Sequence, residues 1–135
     1  MAKVILDFTE ARQFDNTPLP PGFYNAVIDA TPAEEIRVSR DSGTPYFTLA
    51  FEITDPEEYR GRRVFANFMI SGPGAGITQR MLANLGLWSE EMGLQPEFDT
   101  RVLHGIAVRI RVRENKRPDG TVGNNVTQVL PALSD

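Results

Sequence analysis

Arg109, Arg111 and Arg113 alternate with Ile110 and Val112, and Lys116 and Arg117 follow a few residues later. In an extended chain every second side chain points the same way, so the three guanidinium groups stand on one side at a pitch of about 7 Å. That pitch is comparable with the spacing of phosphates along an extended nucleic-acid strand, and a β-strand so arranged can track such a backbone. The plainer reading is that outward arginines keep a surface strand wet. They would then pair across the sheet with Glu52 or Glu114, since like charges on one strand repel and need compensation. The spacing alone leaves both readings open.

A second basic group, Arg60-Gly61-Arg62-Arg63, leads into a run whose outward positions are Phe65, Asn67 and Met69. Arginine beside aromatic rings suits a nucleic-acid surface: the cation holds phosphate while the ring stacks on a base, worth about 1–3 kcal/mol per base. Arg62, Arg63 and Phe65 are candidates on that ground, and Tyr46 and Phe23, outward on their own strands, join them. Outward aromatics in a small β domain also pack beneath helices and arms, which is the competing structural role.

Other chemistries lack their parts. The chain has no Cys and a single His, His104, which excludes disulfides, thiolate metal sites and zinc fingers. No nucleophile motif accompanies His104, and Ser42 and Ser71 sit in turn-forming stretches without a nucleophile elbow. The acid pairs Glu34-Glu35, Glu57-Glu58 and Glu90-Glu91 are adjacent in sequence. Adjacent residues on a strand face opposite ways, which is poor geometry for paired catalytic or metal-binding carboxylates. Gly72-Pro73-Gly74-Ala75-Gly76 precedes a helical pattern but matches neither the P-loop nor the dinucleotide fingerprint. No enzyme, cofactor or metal is expected.

The 135 residues carry a net charge of −4, which argues against a protein coated in positive charge. The balance is uneven. Up to Glu58 four basic residues face eleven acidic ones, a balance of −7, and from Tyr59 onward ten face seven, giving +3. A local basic face is therefore compatible with overall acidity. No run approaches the 18–20 apolar residues of a membrane helix. The first residues carry one Lys followed by acids, without a basic segment leading into a long apolar core. A soluble protein in the cytoplasm is the expectation.

Residues 1–21 hold the apolar Val4-Ile5-Leu6 and end in prolines that cannot join a central strand, so they read as an arm lying on a single domain of residues 22–135. Alternation over residues 22–31 places Tyr24, Ala26, Ile28 and Ala30 on one face. Residues 46–54 place Phe47, Leu49, Phe51 and Ile53 inward, and residues 63–70 do the same with Val64, Ala66, Phe68 and Ile70. Ile77, Met81, Leu82 and Leu85 recur at helical spacing over residues 76–85, closed by Gly86, and Ser89-Glu90-Glu91-Met92 suggests a second short helix. Residues 105–113 turn Ile106, Val108, Ile110 and Val112 inward, Lys116-Arg117-Pro118-Asp119-Gly120 is a hairpin turn, and residues 125–130 form the last strand. The expected fold is mainly β: a five-stranded OB-fold-like barrel with a helix between strands three and four.

Residues 20–70 resemble a phage-encoded family of small single-stranded DNA-binding proteins. The shared pattern falls on Pro20, Gly22 and Tyr24, then on Tyr46, Leu49, Phe51 and Ile53, then on Tyr59, Gly61 and Arg62. The helix ending in Leu82-Ala83-Asn84-Leu85-Gly86 and the late Asn124-Asn125-Val126 also look similar. The resemblance implies an OB-fold that coats single-stranded DNA with little sequence preference during phage DNA replication or recombination, in the host cytoplasm. Arg62, Arg63, Arg109, Arg111, Arg113, Lys116 and Arg117 would then neutralise phosphates, with Tyr46 and Phe65 stacking bases. Its implied partners are single-stranded DNA, phage or host replication and recombination proteins, and further copies of the chain. The chain closes on Pro131-Ala132-Leu133-Ser134-Asp135 without the acidic tail frequent in such proteins. The alternative is a phage structural or assembly β-domain whose arginine strand binds a protein partner.

Overall fold

The computed structural model describes residues 2–7, 9 and 18–132. Alternating apolar residues build five long strands: β1 (Gly22–Asp29), β3 (Pro45–Asp55), β4 (Arg63–Met69), β5 (Ala107–Lys116) and β6 (Val122–Pro131). A sixth, β2 (Arg37–Val38), pairs with the start of β3. All pairings are antiparallel, in the order β2-β3-β1-β5-β6, with β4 on the other side of β3. The sheet is open. Its outer strands β4 and β6 lie side by side, but no ladder of hydrogen bonds joins them. Of the expected five-stranded OB-fold-like barrel, the structure shows a mainly β chain with one α-helix, its six strands in an open antiparallel sheet.

The inward faces fall where alternation puts them. Tyr24, Ala26 and Ile28 of β1, Phe47, Leu49, Phe51 and Ile53 of β3, and Val108, Ile110 and Val112 of β5 are buried together in one core. Phe68 of β4 packs on Phe47 and Phe51, at ring distances of 5.8 and 6.3 Å. Two apolar residues depart from expectation: Ile70 and Ile77 are exposed. Ala50 departs the other way. It is buried on the outer face because its ladder neighbours, Asp29 and Phe65, are long enough to cover it.

Helix α1 (Ala75–Asn84) spans the gap between the outer strands. Thr78 Oγ1 donates to the Met69 carbonyl at the end of β4 (2.7 Å), and Asn84 Nδ2 donates to the Val129 carbonyl of β6 (3.0 Å). Buried Met81 and Leu82 face the core. Gly86 ends the helix with φ +76°, while Gly86 N–H donates to the Ala83 carbonyl and Leu87 N–H to that of Leu82. This is a Schellman closure, which needs a left-handed residue at that point. Short 3-10 turns occupy Thr31–Glu34, Glu57–Tyr59, Glu90–Met92 and Thr100–Leu103. Among the described residues no helix is long and apolar enough to cross a membrane.

The expected arm divides in two. Leu19 is buried, and its N–H and carbonyl are held by the Asn124 side chain of β6 at 2.9 and 3.0 Å. Val4, Ile5 and Leu6, by contrast, are exposed and do not lie on the domain. The rest of the arm, Met1, Phe8 and residues 10–17, falls outside the described residues, as do residues 133–135.

Candidate nucleic-acid interface

β5 is flanked by β1 and β6, so its outward side chains lie between two strands rather than on an edge. Inward Val108, Ile110 and Val112 fix its orientation, and period-2 geometry then points Arg109, Arg111 and Arg113 outward together. The register sets Phe23 of β1 opposite Arg111, with Asn25 opposite Arg109. The Phe23 ring lies under both guanidinium groups: Arg109 Cζ is 4.3 Å from its centroid and Arg111 Cζ 5.8 Å. Cation–π contact of this kind contributes about 0.5–1 kcal/mol at exposed sites. Stacking leaves the guanidinium edges able to donate outward.

The cross-sheet pairing with Glu52 or Glu114 that the plainer reading calls for is not found among the described residues. Among the described residues, no carboxylate comes within ion-pair distance of Arg109, Arg111, Arg113, Lys116 or Arg117. Glu114 stands opposite Asn124, and Glu52 stands between Val27 and Arg63. The Phe23 ring stabilises two of the three arginines in place of an acid.

Beyond Val112, β5 has left β1 and continues with β6 alone as a two-stranded ribbon. Arg113 lies opposite Asn125 and Lys116 opposite Val122. At the tip, Gly120 N–H donates to the Arg117 carbonyl (3.0 Å), and the Asp119 carboxylate accepts from the Thr121 N–H (2.9 Å) and hydroxyl (2.6 Å). Those bonds hold the Asp119 carboxyl below its ordinary value. The Arg117 guanidinium folds back over Gly123, where a Cβ would stand 2.5 Å from it. The ribbon therefore carries Arg117 on the arginine face, while Lys116 shares the phase of Val112 and Glu114 and points the other way.

The remaining candidates form a separate group. Tyr46, opposite Met69, and Phe65, opposite Ala50, lie on the outer face of β3 and β4, with Thr48 Oγ1 donating to Asn67 Oδ1 (2.7 Å) beside them. Phe65 is 54% exposed, and Arg63 Cζ sits 5.4 Å from its ring. Arg63 is also bridged to Asp29. Bonds from Thr31, and then the charge of Arg63, hold the Asp29 carboxyl below its ordinary range. Arg62 parts company with Arg63. It shares the phase of buried Val64, and its charge acts on buried Tyr24. Asp29, Glu52 and Asp55 stand on β1 and β3, between this group and the Phe23 platform.

His104, the one imidazole, takes part in neither group. Its Nδ1 accepts the Ala30 N–H at 3.1 Å and lies 3.6 Å from the Asp29 carboxylate.

The fold and this surface define a mainly β protein with an open antiparallel sheet, one helix, and a cationic ribbon anchored on an aromatic ring. No family model matches the chain, and no curated protein matches it.

Proposed function

We propose that the protein binds single-stranded DNA without sequence preference, coating it in phage DNA replication or recombination, and that its sheet is a variant of the OB barrel. The observation that carries this reading is the row Arg109, Arg111 and Arg113: three outward cations without a carboxylate partner among the described residues, two of them laid on the Phe23 ring. A groove that couples backbone charge to an aromatic platform suits single strands, whose bases are free to stack. Support for the barrel reading is the order of the long strands, with α1 following the third, and the closeness of β4 to β6.

In this reading Arg109, Arg111, Arg113, Lys116 and Arg117 neutralise phosphates, and Phe23 joins Tyr46 and Phe65 as a stacking surface. Arg63 flanks the second group, and Arg62 stands apart from it. Fluorescence anisotropy with labelled oligo-dT and a duplex of equal length, at two salt concentrations, tests it. The expected result is tight, salt-dependent binding of the single strand and weak binding of the duplex. Absence of binding at low salt, or equal affinity for the duplex, overturns the reading.

A further inference from the structure

Away from the arginine face, a cleft of about 660 Å³ opens between the ends of β3 and β4, the start of α1 and the segment after it. Ile36, Phe47, Ile70, Trp88, Leu94 and Phe98 give it an apolar lining. Leu94 is 86% exposed on its rim, and Ile36 and Ile70, the latter an apolar side chain that alternation alone would bury, are exposed there too. Such a volume lies within the range of about 300–1,000 Å³ typical of ligand sites. Ile36, Phe98 and Thr100 are shared with a shallower pocket lined by Glu34, Glu97 and Asp99. Asp99 is taken by Arg101, at 2.7 Å; Arg101 lines the same pocket and its charge also acts on Glu34, whereas Glu97 makes no ion pair among the described residues.

The chain carries a segment of matching chemistry. Lys3-Val4-Ile5-Leu6 presents a cation followed by three aliphatic side chains, and Ile5 is 98% exposed. We propose that Val4, Ile5 and Leu6 of one copy seat in this cleft of a second copy, with Lys3 against Glu34 and Glu97. Within a single copy the segment and the cleft both stay open. The arm is anchored through Leu19 on Asn124, beside the cationic ribbon, while the cleft lies at the far end of β4. Eleven residues separate Asp7 from Leu19, and a chain of that length can cover at most about 40 Å. A contact between different surfaces of the two copies does not close on itself, so it propagates as an open chain. The association does not depend on nucleic acid. If the DNA reading also holds, it makes coating cooperative.

Sedimentation velocity without DNA tests this on the full chain, comparing the protein with Ile5→Asp, which spoils the segment, and Leu94→Asp, which spoils the rim. The expected result is association that grows with concentration and weakens at least tenfold in either variant. An equimolar mixture of the two variants is expected to stop at dimers, since only one intact segment and one intact cleft can meet. Trp88, the single tryptophan, lines the cleft. Its emission is expected to shift on titration with a peptide of residues 2–7, and not with the peptide carrying Ile5→Asp. A protein that stays monomeric at every concentration overturns the proposal, and so does association unchanged in both variants. Ile5→Asp altering Trp88 emission at constant mass also overturns it, because the segment then fills its own cleft. Anisotropy with a short oligonucleotide reads DNA binding separately, so either reading can fail while the other stands.

Discussion

Replacing Arg109, Arg111 and Arg113 together by Ala removes three outward charges and leaves the inward face of β5 untouched. Val108, Ile110 and Val112 lie 0–1% exposed on that face, so the core keeps its contacts. The fold loses only the two contacts with Phe23, about 0.5–1 kcal/mol each. If each arginine neutralises one phosphate, the slope of log affinity against log salt becomes shallower by about 0.7 per arginine on a single strand, about 2 in all. Between 50 and 200 mM salt the unaltered protein should therefore lose about 20-fold more affinity than the variant. The assay is anisotropy with labelled oligo-dT across that range, with thermal unfolding to verify that the variant is folded. A folded variant whose salt slope equals that of the parent refutes the phosphate role of the arginine row, however far its absolute affinity has fallen.

Phe23→Leu keeps an apolar side chain but removes the ring beneath Arg109 and Arg111. Single-strand affinity should drop by about 1–3 kcal/mol with the salt slope nearly unchanged, and a changed slope at constant affinity would contradict a stacking role. Asp29→Asn frees Arg63 and removes a negative charge near Phe65, so anisotropy should show tighter binding and a slope steeper by up to about 0.7. Because the Asp29 carboxyl is held below its ordinary 3.8, its contribution to stability is complete above that value and is lost as pH falls through the lower folded value. Asp29→Asn should correspondingly flatten the acid limb of stability measured by denaturation from pH 5 down to 3, and an unaltered limb would show that the carboxylate does not favour the folded state. Asn124→Ala strips two hydrogen bonds from the buried Leu19 backbone, and urea unfolding should show a loss of about 1–3 kcal/mol for each group left unsatisfied.

The long strands are legible in the sequence because each buries one face, and burial imposes period 2 on Phe47, Leu49, Phe51 and Ile53 as on Val108, Ile110 and Val112. β2 lacks that imprint: two residues long and exposed on both, Arg37 and Val38 offer no contrast to read. Ile70 and Ile77 mislead for the opposite reason, being apolar residues that the fold leaves in the open. At the site, the arginine row follows from spacing, but its stacking on Phe23 does not. That contact depends on a register between residues 88 positions apart in sequence, Phe23 and Arg111. The separation of Arg62 from Arg63 was available from alternation alone, since Val64 faces inward and neighbours on a strand cannot share a face.

Net charge is a weak guide to where this protein can meet a polyanion. At physiological ionic strength charges more than about 8 Å apart through solvent are largely screened. Along β5 the ten residues from Ala107 to Lys116 cover about 30 Å. The acids around the cleft, Glu34, Glu97 and Asp99, therefore exert little force on a phosphate held at the ribbon. Asp29, Glu52 and Asp55 are different, because neighbouring strands are only about 5 Å apart and these carboxylates lie on the strands that separate the two aromatic groups. If the DNA reading holds, a single strand bound at Arg111 and Arg113 would continue most easily along the ribbon toward Arg117, and would meet repulsion on turning toward Phe65. On that reading the local arrangement of three carboxylates, rather than the overall charge of −4, would set the direction in which a nucleic acid runs across this sheet.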